Sequence, residues 1–161
     1  MFSRLAERLC EALASRLDKR TIYRDDGKPY LERYYLIHST RFKYIPGIYL
    51  HKFLSSDEDP ELHDHPWGTS ISVILTGGYL EERREEDDTV TSRLVRPGFF
   101  NLIRKNDFHR VDLIKDHAWT LFIAGKRKQD WGFWNRDTGV YTPWRKFVMA
   151  RNHQPLTKNQ D

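Results

Sequence analysis

Residues 62–77 read Leu62-His63-Asp64-His65-Pro66-Trp67-Gly68-Thr69-Ser70-Ile71-Ser72-Val73-Ile74-Leu75-Thr76-Gly77. In an extended chain, residues two apart share a face, so His63 and His65 project together while Asp64 points away. Two imidazoles converging from one strand suit a first-row transition metal. After a pause at Pro66 to Gly68, the branched run Ser70 to Thr76 reads as a buried strand entering a Gly77-Gly78 hairpin. About thirty residues further on come Pro97-Gly98, a strand from Phe99 to Arg104, a polar turn at Lys105 to Asp107, and His109 opening another strand. A jelly roll would bring His109 beside the first two histidines.

Working outward, short runs rich in aromatic and branched residues predict strands at Tyr30 to Ile37, Ile48 to Leu54, Tyr79 to Arg84, Val90 to Val95, His109 to Ile114 and Ala118 to Ala124. Turn signals at Asp25-Asp26-Gly27, Pro46-Gly47, Gly77-Gly78 and Pro97-Gly98 separate them. Eight or more short strands with such punctuation indicate an all-β antiparallel sandwich or barrel rather than a parallel α/β sheet. Ahead of them Leu5, Leu9, Leu13 and Leu17 recur every four residues, with Arg and Glu opposite, which predicts an amphipathic helix packed on the domain or on a second subunit. The expected organisation is an N-terminal helix over 1–20, one β domain over 21–150 and a polar tail over 151–161.

The 161 residues suffice for one domain with an ordinary core. Aromatic residues make up 14% of the chain, large side chains that need a packed interior. No apolar run approaches the roughly 18 residues that cross a bilayer, and the first twenty residues hold no secretory apolar region. A lone cysteine, Cys10, excludes an internal disulfide and a cysteine-built zinc site, and fits a cytoplasmic setting. The net charge of +4 is ordinary for this size, and the one charge block, Glu81 to Asp88, is mainly acidic. The composition therefore offers no support for nucleic-acid binding, although basic and aromatic residues interleave at Lys126 to Trp134. A strand or hairpin whose aromatics close one end of the barrel is the expectation there.

Over roughly Ile48 to Gly125 the sequence resembles the cupin superfamily. Its first motif, G-x5-H-x-H-x3-4-E-x6-G, is met by His63, His65 and Gly77, while Ser70 stands where the glutamate ligand would be. Of the second motif, P-x-G-x2-H-x3-N, only His109 matches; Arg104, Asn106 and Leu113 occupy the other places. The chain looks most like small single-domain cupins of bacteria and their phages that carry Leu-His-Asp-His-Pro-Trp and then Gly-Gly-Tyr. The resemblance implies a cupin jelly-roll barrel holding one divalent metal through His63, His65 and His109. Three neutral imidazoles without a carboxylate are similar to the thiol dioxygenases, so iron(II) is the expected metal, with zinc, nickel or manganese as alternatives.

The leading expectation is thus a mononuclear non-haem iron oxygenase acting on a small polar substrate. His51, in phase with Tyr49 and Phe53, could line the pocket as a base or substrate donor; Ser70 and Tyr79 could orient substrate. Arg110 should face away from His109, and Arg93 and Arg104 should be solvated. Two other readings stand beside it. One is a non-redox cupin that binds or isomerises a sugar or nucleotide-like ligand. The other is an interaction module using the 126–144 segment. A homodimer through a sheet edge or the first helix fits the resemblance.

Overall fold

The computed structural model describes residues 2–24, 26–38 and 46–152. Twelve strands and two helices follow one another: α1 (Phe2–Ala14), β1 (Lys19–Tyr23), β2 (Pro29–Ile37), β3 (Gly47–Phe53), β4 (Leu62–His63), β5 (Thr69–Thr76), β6 (Tyr79–Arg84), β7 (Val90–Val95), β8 (Phe100–Arg104), β9 (His109–Leu113), β10 (Ala118–Ala124), β11 (Gly132–Trp134), β12 (Tyr141–Pro143) and α2 (Trp144–Asn152). The strands form two six-stranded sheets with orders β1-β2-β3-β10-β5-β8 and β12-β11-β4-β9-β6-β7, every pairing antiparallel. From β3 to β6, and again from β7 to β11, each strand lies in the opposite sheet to its predecessor. This is an all-β jelly roll, as the succession of short strands and turn signals predicts.

One local expectation fails. Gly77-Gly78 joins β5 to β6, yet these strands lie in different sheets, so the pair makes a crossing between sheets and not a hairpin. The physical reason is visible at Gly77. Its φ of +77° is open to glycine, and a Cβ there would sit 2.4 Å from the His117 carbonyl oxygen. The bend turns the chain against the end of β10 and into the second sheet.

Alternation decides what each face meets. Tyr49, His51 and Phe53 of β3, and Thr120, Phe122 and Ala124 of β10, face the barrel interior; Leu50 and Trp119 face outward under α1. There α1 buries Cys10 and Ala14 against Tyr34, Leu50 and Trp119. Glu7 accepts hydrogen bonds from Trp119 Nε1 at 3.3 Å and from His117. The helix therefore packs on the domain through its small residues, while Leu5, Leu9 and Leu13 are exposed. The helix also ends at Ala14, and the next segment is β1, within the span assigned to the helix from sequence. No described helix is long and apolar enough to cross a membrane.

The C-terminal segment forms the expected hairpin, β11–β12, and then a helix that the sequence reading did not foresee. Trp131 stacks on Trp144 and Phe133 on Phe147, with ring centres 5.8 and 4.0 Å apart. These contacts clamp α2 onto the hairpin. The helix runs through Ala150, so the tail boundary expected there falls inside it; residues 153–161 of that tail, with His153, lie outside the described residues.

Candidate metal centre

The barrel holds a cavity of about 500 Å3, and His63, His65 and His109 all line it. The short strand β4 ends at His63, which pairs in register with His109 of β9. His65 follows in the connection to β5, so the extended reading is right about direction while the strand itself is only two residues long. Asp64 turns away as expected: it is 2% exposed, and it accepts hydrogen bonds from the Gly132 amide at 2.8 Å and from Gln129 Nε2 at 2.6 Å. That carboxylate anchors the chain entering β11, which presses Trp131 against the cavity.

One ring nitrogen from each of the three histidines lies within 4.8 Å of the others, and His65 Nε2 and His109 Nε2 are 2.8 Å apart. Burial pushes the His63 imidazolium down to about 4, helped by the charge of His109, with Asp57 and Glu81 opposing. Burial and the two neighbouring imidazoles lower His65 well below the ordinary histidine value. Neutral rings present lone pairs, which is the form a metal requires.

Two carboxylates stand behind the cluster, one of them hydrogen-bonded to a ring. Glu81, on the inner face of β6, is fully buried, and its Oε1 is 2.7 Å from His109 Nδ1. It also accepts from Asn101 Nδ2 at 2.6 Å, Arg93 Nε at 2.6 Å and Arg83 Nη2 at 3.3 Å. Burial raises its pKa, but the hydrogen bond and charge of His109, with Arg83 and Asn101, outweigh that and hold the carboxyl well below its usual range. An ionised Glu81 keeps the proton on His109 Nδ1 and leaves Nε2 facing the cluster. Asp57 lies 3.7 Å from His63 Nδ1, beyond hydrogen-bond reach, and accepts from the Val111 amide at 2.7 Å and from the Tyr30 hydroxyl.

Neither carboxylate was singled out from sequence. Glu81 opens the mainly acidic block Glu81 to Asp88, although its parity with Tyr79 on a strand is a signal that it points inward. Asp57 stands in a loop of acidic residues with no periodicity to mark it. Arg93, expected to be solvated, is half exposed and turns back onto Glu81; Arg104 is exposed, and Arg110 faces away, donating to the Asp59 carbonyl at 2.8 Å.

The other candidates fall in two groups. Tyr79 and His51 line the cavity. Burial and Glu81 push the Tyr79 phenol up to about 12, so it is a neutral donor beside Ser72 and Asn101. His51 is buried, and its Nε2 accepts from Arg33 Nε at 3.0 Å. Ser70 is buried between Ile103 and Ala124 and does not line the cavity; Ser72, two residues on, does. Trp67 stacks on His65 with ring centres 5.7 Å apart and forms one wall.

No protein-family model and no curated protein matches this chain. Solved structures of the cupin fold do. A DMSP lyase superposes with a TM-score of 0.58 at 16% identity over 78% of this chain and 68% of its own. Fe(II)-HppE with the alternative substrate (S)-1-HPP gives 0.53 at 13% identity, over 69% of this chain. A cupin-like protein from Thermotoga maritima gives 0.50 at 15% identity, over 68% of this chain and 80% of its own. The match spans 57% of the HppE chain. At such identities the likeness establishes the fold: the barrel is a cupin jelly roll.

Proposed function

We propose that this cupin-fold protein is a mononuclear non-haem iron oxygenase acting on a small polar substrate, with His63, His65 and His109 as the ligands. The observation that carries the reading is the convergence of three imidazole nitrogens on one wall of a 500 Å3 cavity. The donor set fits a divalent first-row metal: borderline nitrogen donors, two of them held neutral by burial, each of two rings backed by a carboxylate. Three protein ligands leave coordination positions open toward the cavity. Iron(II) held there would supply activation of a chelated substrate and of dioxygen.

The chain's own residues would do the rest. Glu81 would hold the His109 ring in place by its hydrogen bond, with the Asp57 charge 3.7 Å from His63. Tyr79 keeps its phenolic proton and can donate it in a hydrogen bond to a substrate oxygen. Trp67, Phe122 and Trp131 give the cavity apolar walls that limit water.

A second reading, non-redox binding or isomerisation of a sugar or nucleotide-like ligand, is favoured by one observation: no carboxylate joins the three-histidine cluster among the described residues. Metal content of untagged protein, measured beside His109→Ala, separates the two. Near-stoichiometric iron that disappears in the variant is expected, followed by oxygen uptake with a panel of small thiols and hydroxy acids. Zinc or nickel with the same loss, or no metal after anaerobic Fe(II) addition, overturns the iron oxygenase.

A further inference from the structure

Sheet register sets a second polar feature into the same cavity. Across β1, β2, β3 and β10, Arg20 pairs with Arg33, Arg33 with His51, and His51 with Thr120. Direct cross-strand partners share a face. Arg20, Arg33 and His51 thus form one row, and all three line the cavity.

Arg33 is held firmly at one end. Its Nε donates to His51 Nε2, and its guanidinium lies 5.1 Å from the Tyr49 ring centre. His51 is fixed in turn, stacked between Tyr49 and Phe122 with ring centres 5.8 and 5.0 Å away. Accepting from Arg33 occupies the Nε2 lone pair and sets the His51 proton on Nδ1. The group that could have served as a base is therefore engaged in aiming the guanidinium.

No described carboxylate pairs with Arg33, and the charge beside it is the like charge of Arg20. On the outer face of the same strands the charges do pair: Lys19 meets Glu32 at 2.6 Å. Arg33 is half-buried in this cavity, with exposed Arg20 beside it, so a guanidinium with no described carboxylate partner there is best completed by an anion that enters the cavity. The seat is also near the cluster. The Phe122 ring contacts His51 on one side and His65, at 6.3 Å, on the other.

We propose that the cavity takes a small organic oxyanion, its carboxylate, phosphate or phosphonate head held by Arg33 with Arg20 beside it. The rest of the ligand then extends past Phe122 toward His63, His65 and His109. That far end rests on the metal-site reading; the oxyanion seat stands without it. Planar, forked donors make Arg33 a bidentate grip, and His51 is its positioning residue.

Calorimetric titration of metal-free protein with inorganic phosphate, and separately with malonate, tests this. At least one probe binds saturably to the wild type, and which one tells a tetrahedral from a planar head. Arg33→Gln weakens it by about tenfold or more, Arg33→Lys retains only part of the affinity, and neither changes metal content. His51→Leu weakens binding, and His51→Gln, which keeps an acceptor, restores part of it. Without ligand, Arg33→Gln has a Tm equal to or above the wild type, because an uncompensated cation is removed. The inference is overturned if neither probe saturates the wild type, or if Arg33→Gln binds phosphate and malonate as the wild type does. A protein that takes no metal yet loses its anion in Arg33→Gln keeps the seat and sinks the iron reading; a metal-loaded protein with no Arg33-dependent binding sinks the seat alone.

Discussion

Replacing Glu81 by glutamine removes one charge and almost no volume at a position with no solvent exposure. Four donors converge on that carboxylate: His109, Asn101, Arg83 and Arg93. A glutamine offers one acceptor oxygen and turns two N–H donors toward groups that are themselves donors. Breaking a buried charge network from one side costs about 3–5 kcal/mol. The lower end applies here, since Arg93 is 51% exposed and Arg83 keeps the Leu102 carbonyl and Asp107 as partners. About 3 kcal/mol corresponds to a Tm lower by roughly 6–12 °C in a chain of this size.

The cost must also depend on pH. Burial raises the Glu81 pKa, but the hydrogen bond and charge of His109, with Arg83 and Asn101, outweigh it and leave a folded-state pKa below the unfolded value of 4.5. Its contribution is therefore complete above about pH 5 and is lost as pH falls toward the folded pKa. By pH 3 roughly 2 kcal/mol of the difference between wild type and Glu81→Gln should have gone, at about 1.4 kcal/mol per pH unit. Urea denaturation of both metal-free proteins at pH 7 and pH 3 measures it. A variant within about 0.5 kcal/mol of wild type at pH 7, or a gap that does not shrink in acid, would refute the claim that an ionised Glu81 holds the barrel interior.

Two further outcomes follow from the same geometry. Asp57→Asn, which keeps the shape but removes the charge beside His63 and weakens the hold on the Tyr30 hydroxyl, should lower metal affinity about 10–100-fold in competition with a chromophoric chelator. Gly77→Ala should destabilise the fold by about 2 kcal/mol or more in urea, because a positive φ and a 2.4 Å approach to the His117 carbonyl oxygen act together.

What the sequence made legible is what residue type, turn signals and pair spacing encode. Strands such as Tyr79–Arg84, Val90–Val95 and Ala118–Ala124 were readable because aromatic and branched residues cluster there between turn signals, and those bounds recur in the structure. His63 and His65 were readable from their spacing. β1 was not, because the leucine repeat ahead of it extends the helix reading over its first residues; β4, β11 and β12 are two or three residues long, so their bounds come from sheet pairing. The leucine repeat of α1 misled about which side faces the sheet, since a close approach to Tyr34 and Trp119 selects Cys10 and Ala14. Glu81 was hidden by composition, because acidic neighbours make a buried carboxylate look like part of a solvated block. Arg33 was hidden for a different reason. Its meaning lies in Arg20 and His51 as cross-strand partners, and register across four strands is not written in local sequence.

The two sheets also divide the site between them. The second sheet supplies His63, His109 and Glu81, and the first supplies Arg20, Arg33 and His51. Charge follows the same division. In the second sheet the described cations near the cluster have carboxylate partners: Arg83 meets Glu81 and Asp107, Arg93 meets Glu81, and Arg110 meets Glu82 and Asp112. A compensated network holds ligand rings still and costs the fold nothing when a ligand leaves. In the first sheet no described carboxylate pairs with Arg33, and Arg20 beside it is exposed, so the proposed anion would supply the counter-charge from within the cavity. Substitutions in the two rows should then separate: changes at Glu81 act on stability and metal retention together, whereas changes at Arg33 act on anion affinity and leave the metal in place. Rigid support on one wall and an open positive charge on the other is the arrangement that would hold a small anionic ligand across a metal, with Phe122 between them.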